Sequence, residues 1–136
     1  MLRASLGALA GDFRESANSP KRFIKFEFIP DPWKLRGDLN GDLDRYWIVT
    51  VIVGSSRSKV SVDLQSPQGF WQYFIAEVLQ AEVAEEKHDS RPRCLDHRHS
   101  LSPDLNGVDG VWLCSLDGEI RCLLGSYWEY VKHSST

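Results

Sequence analysis

Between positions 88 and 99 the chain gathers three of its four histidines and one of its three cysteines. The stretch reads His88-Asp89-Ser90-Arg91-Pro92-Arg93-Cys94-Leu95-Asp96-His97-Arg98-His99. Cys94 and His97 have Cys-x-x-His spacing, and His99 or His88 can add further donors. Thiolate and imidazole are the donors zinc favours, and a metal would order a polar stretch that has little apolar material of its own. Cys94, His97 and His99 are therefore the candidate metal ligands. Two features oppose this assignment. One Cys-x-x-His lacks the second matched pair of a zinc finger, and Arg91, Arg93 and Arg98 crowd the stretch with positive charge. Those arginines suggest another chemistry, a basic loop that contacts an acidic partner or a phosphate. Its charge would change between about pH 5 and 8 as the histidines titrate.

Nucleophilic catalysis finds less support. Cys94 with His97 or His99 has the residue types of a thiolate–imidazole pair, with Asp96 or Asp89 to orient the ring. Such pairs need rigid elements, and these residues share one loop. The chain has no Gly-x-Ser-x-Gly elbow, no glycine-rich phosphate loop and no His-Glu-x-x-His. An enzyme is not the favoured reading.

Two further motifs deserve weighing. Gly37-Asp38-Leu39-Asn40-Gly41-Asp42-Leu43-Asp44 alternates side-chain oxygens as calcium loops do, and part of it resembles the loop of dockerin and EF-hand repeats. With Asp38 in the first position, Leu43 stands where the turn glycine belongs and Val49 where the bidentate acid belongs. The segment is read as a turn ahead of a strand. The aromatic doublets Tyr46-Trp47, Phe70-Trp71 and Tyr127-Trp128 are the other motif. Adjacent strand residues face opposite sides, so Tyr46, Trp128 and Tyr130 are candidates for an exposed aromatic contact patch on a sheet face.

The elements that must position these residues follow from periodicity. Leu2, Leu6, Leu9 and Phe13 make a helical stripe. In 23–29, Ile24, Phe26 and Phe28 alternate with Lys25 and Glu27, as in a strand. Positions 46–53 are a near-continuous apolar strand, with 60–64 as its hairpin partner. Ser66-Pro67 opens a helix, with Ser66 as N-cap, whose apolar positions are Phe70, Trp71, Phe74, Ile75, Val78, Leu79 and Val83. Residues 88–107 form a long polar loop. Asp117-Gly118 turns a second hairpin between 111–115 and 120–124. The stretch 127–131 is a short strand or a packed tail. The expected fold is thus one α+β domain: an antiparallel sheet of about five strands, one long amphipathic helix on one face, and a short N-terminal helix over 1–19.

Composition bounds the rest. The 136 residues suit one domain, and 15 aromatic side chains supply core volume without staples. A net charge of −3 argues against a dedicated nucleic-acid binder, which needs a concentrated basic surface. The odd count of cysteines suits a reducing compartment. With Asp117-Gly118 central in a two-residue turn, Cys122 would oppose Leu113 and Cys114 would oppose Arg121. The sulfurs would then face opposite sides as free thiols. No stretch has the length of a membrane span. A cytoplasmic location is expected, with a mitochondrial one as alternative because the first residues are amphipathic.

The leading expectation is a non-enzymatic protein-binding module of the immunity, antitoxin or adaptor kind. Its contact residues would be Tyr46, Arg91, Arg93, Arg98, Trp128 and Tyr130. The partner is expected to be a protein, not nucleic acid or membrane, and a homodimer is compatible. The alternative is a small zinc-dependent enzyme or zinc-stabilised domain using Cys94, His97 and His99. A third option is a ligand pocket between helix and sheet.

Overall fold

The structure, a computed structural model, describes residues 2–14, 24–31, 45–87 and 91–134. In chain order the elements are α1 (Leu2–Gly11), β1 (Ile24–Pro30), β2 (Tyr46–Val53) and β3 (Ser56–Asp63). After these come α2 (Gln68–Lys87), β4 (Ser102–Asn106), β5 (Asp109–Leu113), β6 (Ile120–Leu123) and α3 (Tyr127–Ser134). The fold is α+β, but the single sheet of about five strands does not form. Two three-stranded antiparallel sheets do, in the orders β1-β2-β3 and β4-β5-β6. The physical reason is α2. Its buried positions span more than one face, so it packs against β2 and β3 of one sheet and β4 and β5 of the other and leaves the stripe of Phe74, Glu77, Ala81 and Glu85 exposed.

Trp71, Ile75, Ala76, Leu79 and Val83 of α2 are buried with Val49, Val51 and Val53 of β2. Phe74 departs from its expected place: it is 53% exposed and leans on Tyr73 with ring centroids 5.4 Å apart. Ser66 does not show the expected cap; its hydroxyl donates to the Asp63 carbonyl (2.6 Å). At the far end, Glu86 Oε1 accepts from the Ser55 amide (3.2 Å) and hydroxyl (3.0 Å), pinning the helix to the β2–β3 turn. The near end crosses the β4–β5 hairpin so closely that a Cβ at Gly69 would overlap the Val108 carbonyl oxygen and stand 2.8 Å from the Asp109 carbonyl carbon. Both obstacles are backbone. Gly69→Ala is therefore expected to cost about 2 kcal/mol, within the usual range for overpacking, read as a lower urea midpoint; an unchanged midpoint would show that the crossing can give way.

The N-terminal stripe behaves as expected. Leu6, Leu9, Ala10 and Phe13 are buried in the core, and Gln72 of α2 donates to Ser5 (2.6 Å). At the end of this segment Asp12 is 1% exposed. Its Oδ2 accepts from Trp112 Nε1 (2.7 Å) and the Gly125 amide (2.6 Å), and its Oδ1 from the Tyr127 amide (3.0 Å). That carboxylate sits at the start of α3, where the helix dipole favours negative charge. It explains why 127–131 is helical, neither strand nor irregular tail. Trp128 adds a bond from Nε1 to the Gly11 carbonyl (2.8 Å).

Several sequence expectations lie outside the described residues: the break at 18–20, the calcium-like segment 37–44, and His88 and Asp89. No helix among the described residues is long and apolar enough to cross a membrane.

Candidate metal centre

The expected 88–107 loop is largely structured where it is described. An isolated antiparallel bridge joins Arg93 and Ser100, and β4 begins two residues later. Gln80 of α2 holds this segment at both ends, donating from Nε2 to the Leu101 carbonyl (2.6 Å) and the Arg91 carbonyl (3.2 Å). From α3, the Tyr127 hydroxyl donates to the Arg93 carbonyl (2.8 Å), and the Tyr130 hydroxyl accepts from the Leu95 amide (3.3 Å).

Between the bridge residues the chain makes a tight turn. The Cys94 amide donates to the His99 carbonyl (2.7 Å), and the Arg98 amide to the Cys94 carbonyl (2.9 Å). Arg98 has φ 59°, a left-handed conformation. The second hairpin ends in the same device. The Cys114 amide donates to the Glu119 carbonyl (2.9 Å), the Gly118 amide to the Cys114 carbonyl (2.8 Å), and Gly118 has φ 73°. The two turns correspond residue for residue, with Cys94 matching Cys114 and His97 matching Asp117.

This turn overturns the expected hairpin register. Asp117-Gly118 are not the centre of a two-residue turn; the pairing is Trp112 with Cys122 and Leu113 with Ile120, with an irregularity between. The longer turn starts at Cys114 itself and swings its sulfur out of the ladder. Cys114 then joins Cys94, His97 and His99, all four donor atoms lying within 4.8 Å of one another. Cys114 Sγ is 3.2 Å from His97 Nδ1 and 3.3 Å from His99 Nε2, and Cys94 Sγ is 3.7 Å from His97 Nδ1. A tetrahedral zinc with ordinary bonds to sulfur and nitrogen sets sulfur–nitrogen separations of roughly 3.6 Å.

No known family, curated protein or solved structure matches this chain.

Burial pushes the Cys94 thiol up, but the His97 amide, the Arg121 guanidinium, the Asp96 amide and the His97 ring together outweigh it and hold it at about 7. Arg121 is pushed up in turn, first by the Cys94 sulfur and then by Asp117. It also meets Asp117 and lies 3.2 Å from Asp96 and 3.4 Å from Glu119, so one side chain ties the two turns together. Asp117, at the position that matches His97, is held below the usual carboxylate range by the Glu119 amide ahead of Arg121. Cys122 stands apart: burial pushes it up to about 12, as for an inert core thiol.

The expected contact residues divide. Arg91, Arg93, Arg98 and Trp128 line one depression, and Tyr130 joins its edge by the bond to Leu95. Tyr46 lies on β2 in the other sheet, its ring covered by the Arg45 guanidinium at 4.7 Å. The aromatic sheet face does not form, because Trp128 and Tyr130 belong to α3. Sequence reasoning missed Cys114, Arg121 and Gln80. The available signal was the repeat of Cys-x-x-His-Arg as Cys-x-x-Asp-Gly, two turns of equal length.

Proposed function

We propose that the protein is a non-enzymatic binding module in which the 94–99 turn is fastened to the start of the 114–119 turn by one structural zinc ion. The ligands are Cys94 Sγ, His97 Nδ1, His99 Nε2 and Cys114 Sγ. One observation carries this reading. Two thiol sulfurs and two imidazole nitrogens, the donor types zinc favours, converge from two separate turns with all four atoms within 4.8 Å of one another. A cation central to all four atoms accounts for the whole set.

Donor number separates the structural from the catalytic reading. Four protein ligands fill a tetrahedron and leave no position for water or substrate, the hallmark of a structural site. Both thiolates are consumed as ligands, which removes Cys94 as a nucleophile. Cys122 remains a thiol. The ligands come from two turns that share no strand, so the ion substitutes for apolar core that the polar 91–100 segment lacks. Function then lies on the surface these turns display, in keeping with a partner-binding module.

The test is metal replacement. Protein refolded with cobalt(II) should show the intense visible bands of a tetrahedral ion and an ultraviolet thiolate-to-cobalt band. Native mass spectrometry should find one zinc per chain in the untreated protein. Weak, octahedral-type cobalt bands, or a chain without metal from zinc-replete medium, would reject the reading.

A further inference from the structure

The sulfurs of Cys94 and Cys114 lie within 4.8 Å of each other, so a shift of less than about 3 Å brings them to bonding distance. Each cysteine opens a tight turn outside the strands, where such a shift breaks no ladder. The third thiol, Cys122, sits on β6 and is not part of the cluster. Both clustered cysteines are buried, but their surroundings differ. Cys94 forms part of the wall of a depression of about 450 Å³, beside Leu95, Tyr127, Trp128 and Val131. Its sulfur also bonds the Arg121 guanidinium, which Asp96, Asp117 and Glu119 hold in place. Cys114 is 0% exposed.

We propose that the metal centre is a redox switch: a small peroxide oxidises Cys94 and Cys114 to a disulfide, and the zinc is expelled. The inference deepens the structural-zinc reading and rests on it. A sulfur bound to zinc keeps lone pairs besides the one it shares with the ion. Ligation therefore ends turnover at Cys94 without protecting it from an oxidant. The electrons balance in two steps. A lone pair of the Cys94 sulfur attacks one oxygen of hydrogen peroxide, the O–O bond breaks, and the departing hydroxide takes a solvent proton to become water. That leaves a sulfenic acid. The Cys114 thiolate then attacks the Cys94 sulfur, the S–O bond breaks, and a second hydroxide leaves as water with another solvent proton. Two thiolates have given up two electrons, and the zinc departs still divalent because only two imidazoles remain to hold it. Cys94 reacts first, since it borders the depression and has a guanidinium beside it to donate to the departing oxygen. The enclosed Cys114 resolves the sulfenic acid. The disulfide still joins the two turns, but His97 and His99 lose the ion that fixed them. On the binding-module reading, oxidation thus changes the surface shown to a partner.

The experiment treats zinc-loaded protein with hydrogen peroxide, follows released zinc with a chromogenic chelator, and reads the product by intact mass and peptide mapping. Expected are the loss of one zinc per chain, a mass lower by two hydrogens, and a Cys94–Cys114 cross-link in the map. Dithiothreitol followed by zinc should restore the starting species. Cys122→Ser should release zinc at the wild-type rate, and the map of the wild-type chain decides the matter should that variant misfold. Zinc retained under peroxide, a cross-link through Cys122, or oxygen added to Cys94 with no cross-link overturns the switch and leaves the zinc reading standing. Metal content is measured before treatment. Cross-linking of Cys94 to Cys114 in a chain that never held zinc removes the zinc reading and the expulsion step while supporting the disulfide, so the two failures are distinguishable.

Discussion

Cys114→Ser should lose the zinc and lower the thermal midpoint by more than about 10 °C, while Cys122→Ser keeps the metal. The size follows from what the ion replaces. Apparent free energies for structural zinc in small peptides run to about 10–16 kcal/mol at neutral pH, part of which here is offset by the core that remains. A residual loss of even about 3 kcal/mol corresponds to a shift of that order for a domain of this size. The damage should be local first. β1, β2, β3 and α1 share the core around Val49, Val51 and Phe13, so amide protection should vanish across 91–125 and persist in 46–63. Native mass and hydrogen exchange on both variants check this. A Cys114→Ser protein that retains one zinc at wild-type stability would place the ion, if any, elsewhere. His99→Ala provides a second probe that leaves both sulfurs in place, and should release the ion as well.

What the sequence conveyed, and what it hid, divides along the range of the interaction. The helical stripes of α1 and α2 and the strands β1 and β2 were legible because each is set by local periodicity over many residues. The separation into two sheets was not, since it depends on which faces of α2 find partners. β4 was hidden by Pro103, Asp104 and Asn106, poor strand formers that are tolerated because β4 is an edge strand paired only to β5. The metal set shows the same limit. Cys94, His97 and His99 were visible as neighbours, but Cys114 arrives from fifteen residues beyond His99, through a turn whose register an Asp-Gly signal misassigned. The arginines first read as opposing a dication line an adjoining depression, while the guanidinium beside the Cys94 sulfur is Arg121, which the two turns surround with Asp96, Asp117 and Glu119.

The second large effect is expected at Asp12, remote in sequence from everything it holds. Its two oxygens serve the Trp112 indole, the Gly125 amide and the Tyr127 amide, joining α1 to β5 and to the start of α3. Asp12→Ala would leave three buried donors without an acceptor, at about 1–3 kcal/mol each before relaxation, and should destabilise the protein by about 3 kcal/mol or more. Asp12→Asn keeps an oxygen for part of the set and should fall between. The charge itself is costly. Burial outweighs the three hydrogen bonds and raises the carboxyl from 3.8 to about 6. A raised folded-state value means the native chain binds the proton more tightly than the unfolded chain does. The resulting stability is fully present below about pH 3.8, is lost as pH rises toward 6, and is flat above it. Two pKa units correspond to about 3 kcal/mol in all, of which roughly 1 kcal/mol falls between pH 5 and 7. Metal release in acid works in the opposite direction, because protons compete for the thiolates and imidazoles. The difference between wild type and Asp12→Asn cancels that term, since both chains carry the same four donors. Urea unfolding of the pair at pH 5 and pH 7 should therefore show the wild type losing ground to the amide variant as pH rises. A gap that stays constant, or widens in favour of the wild type, would mean that the three donors, not burial, set the charge state of Asp12.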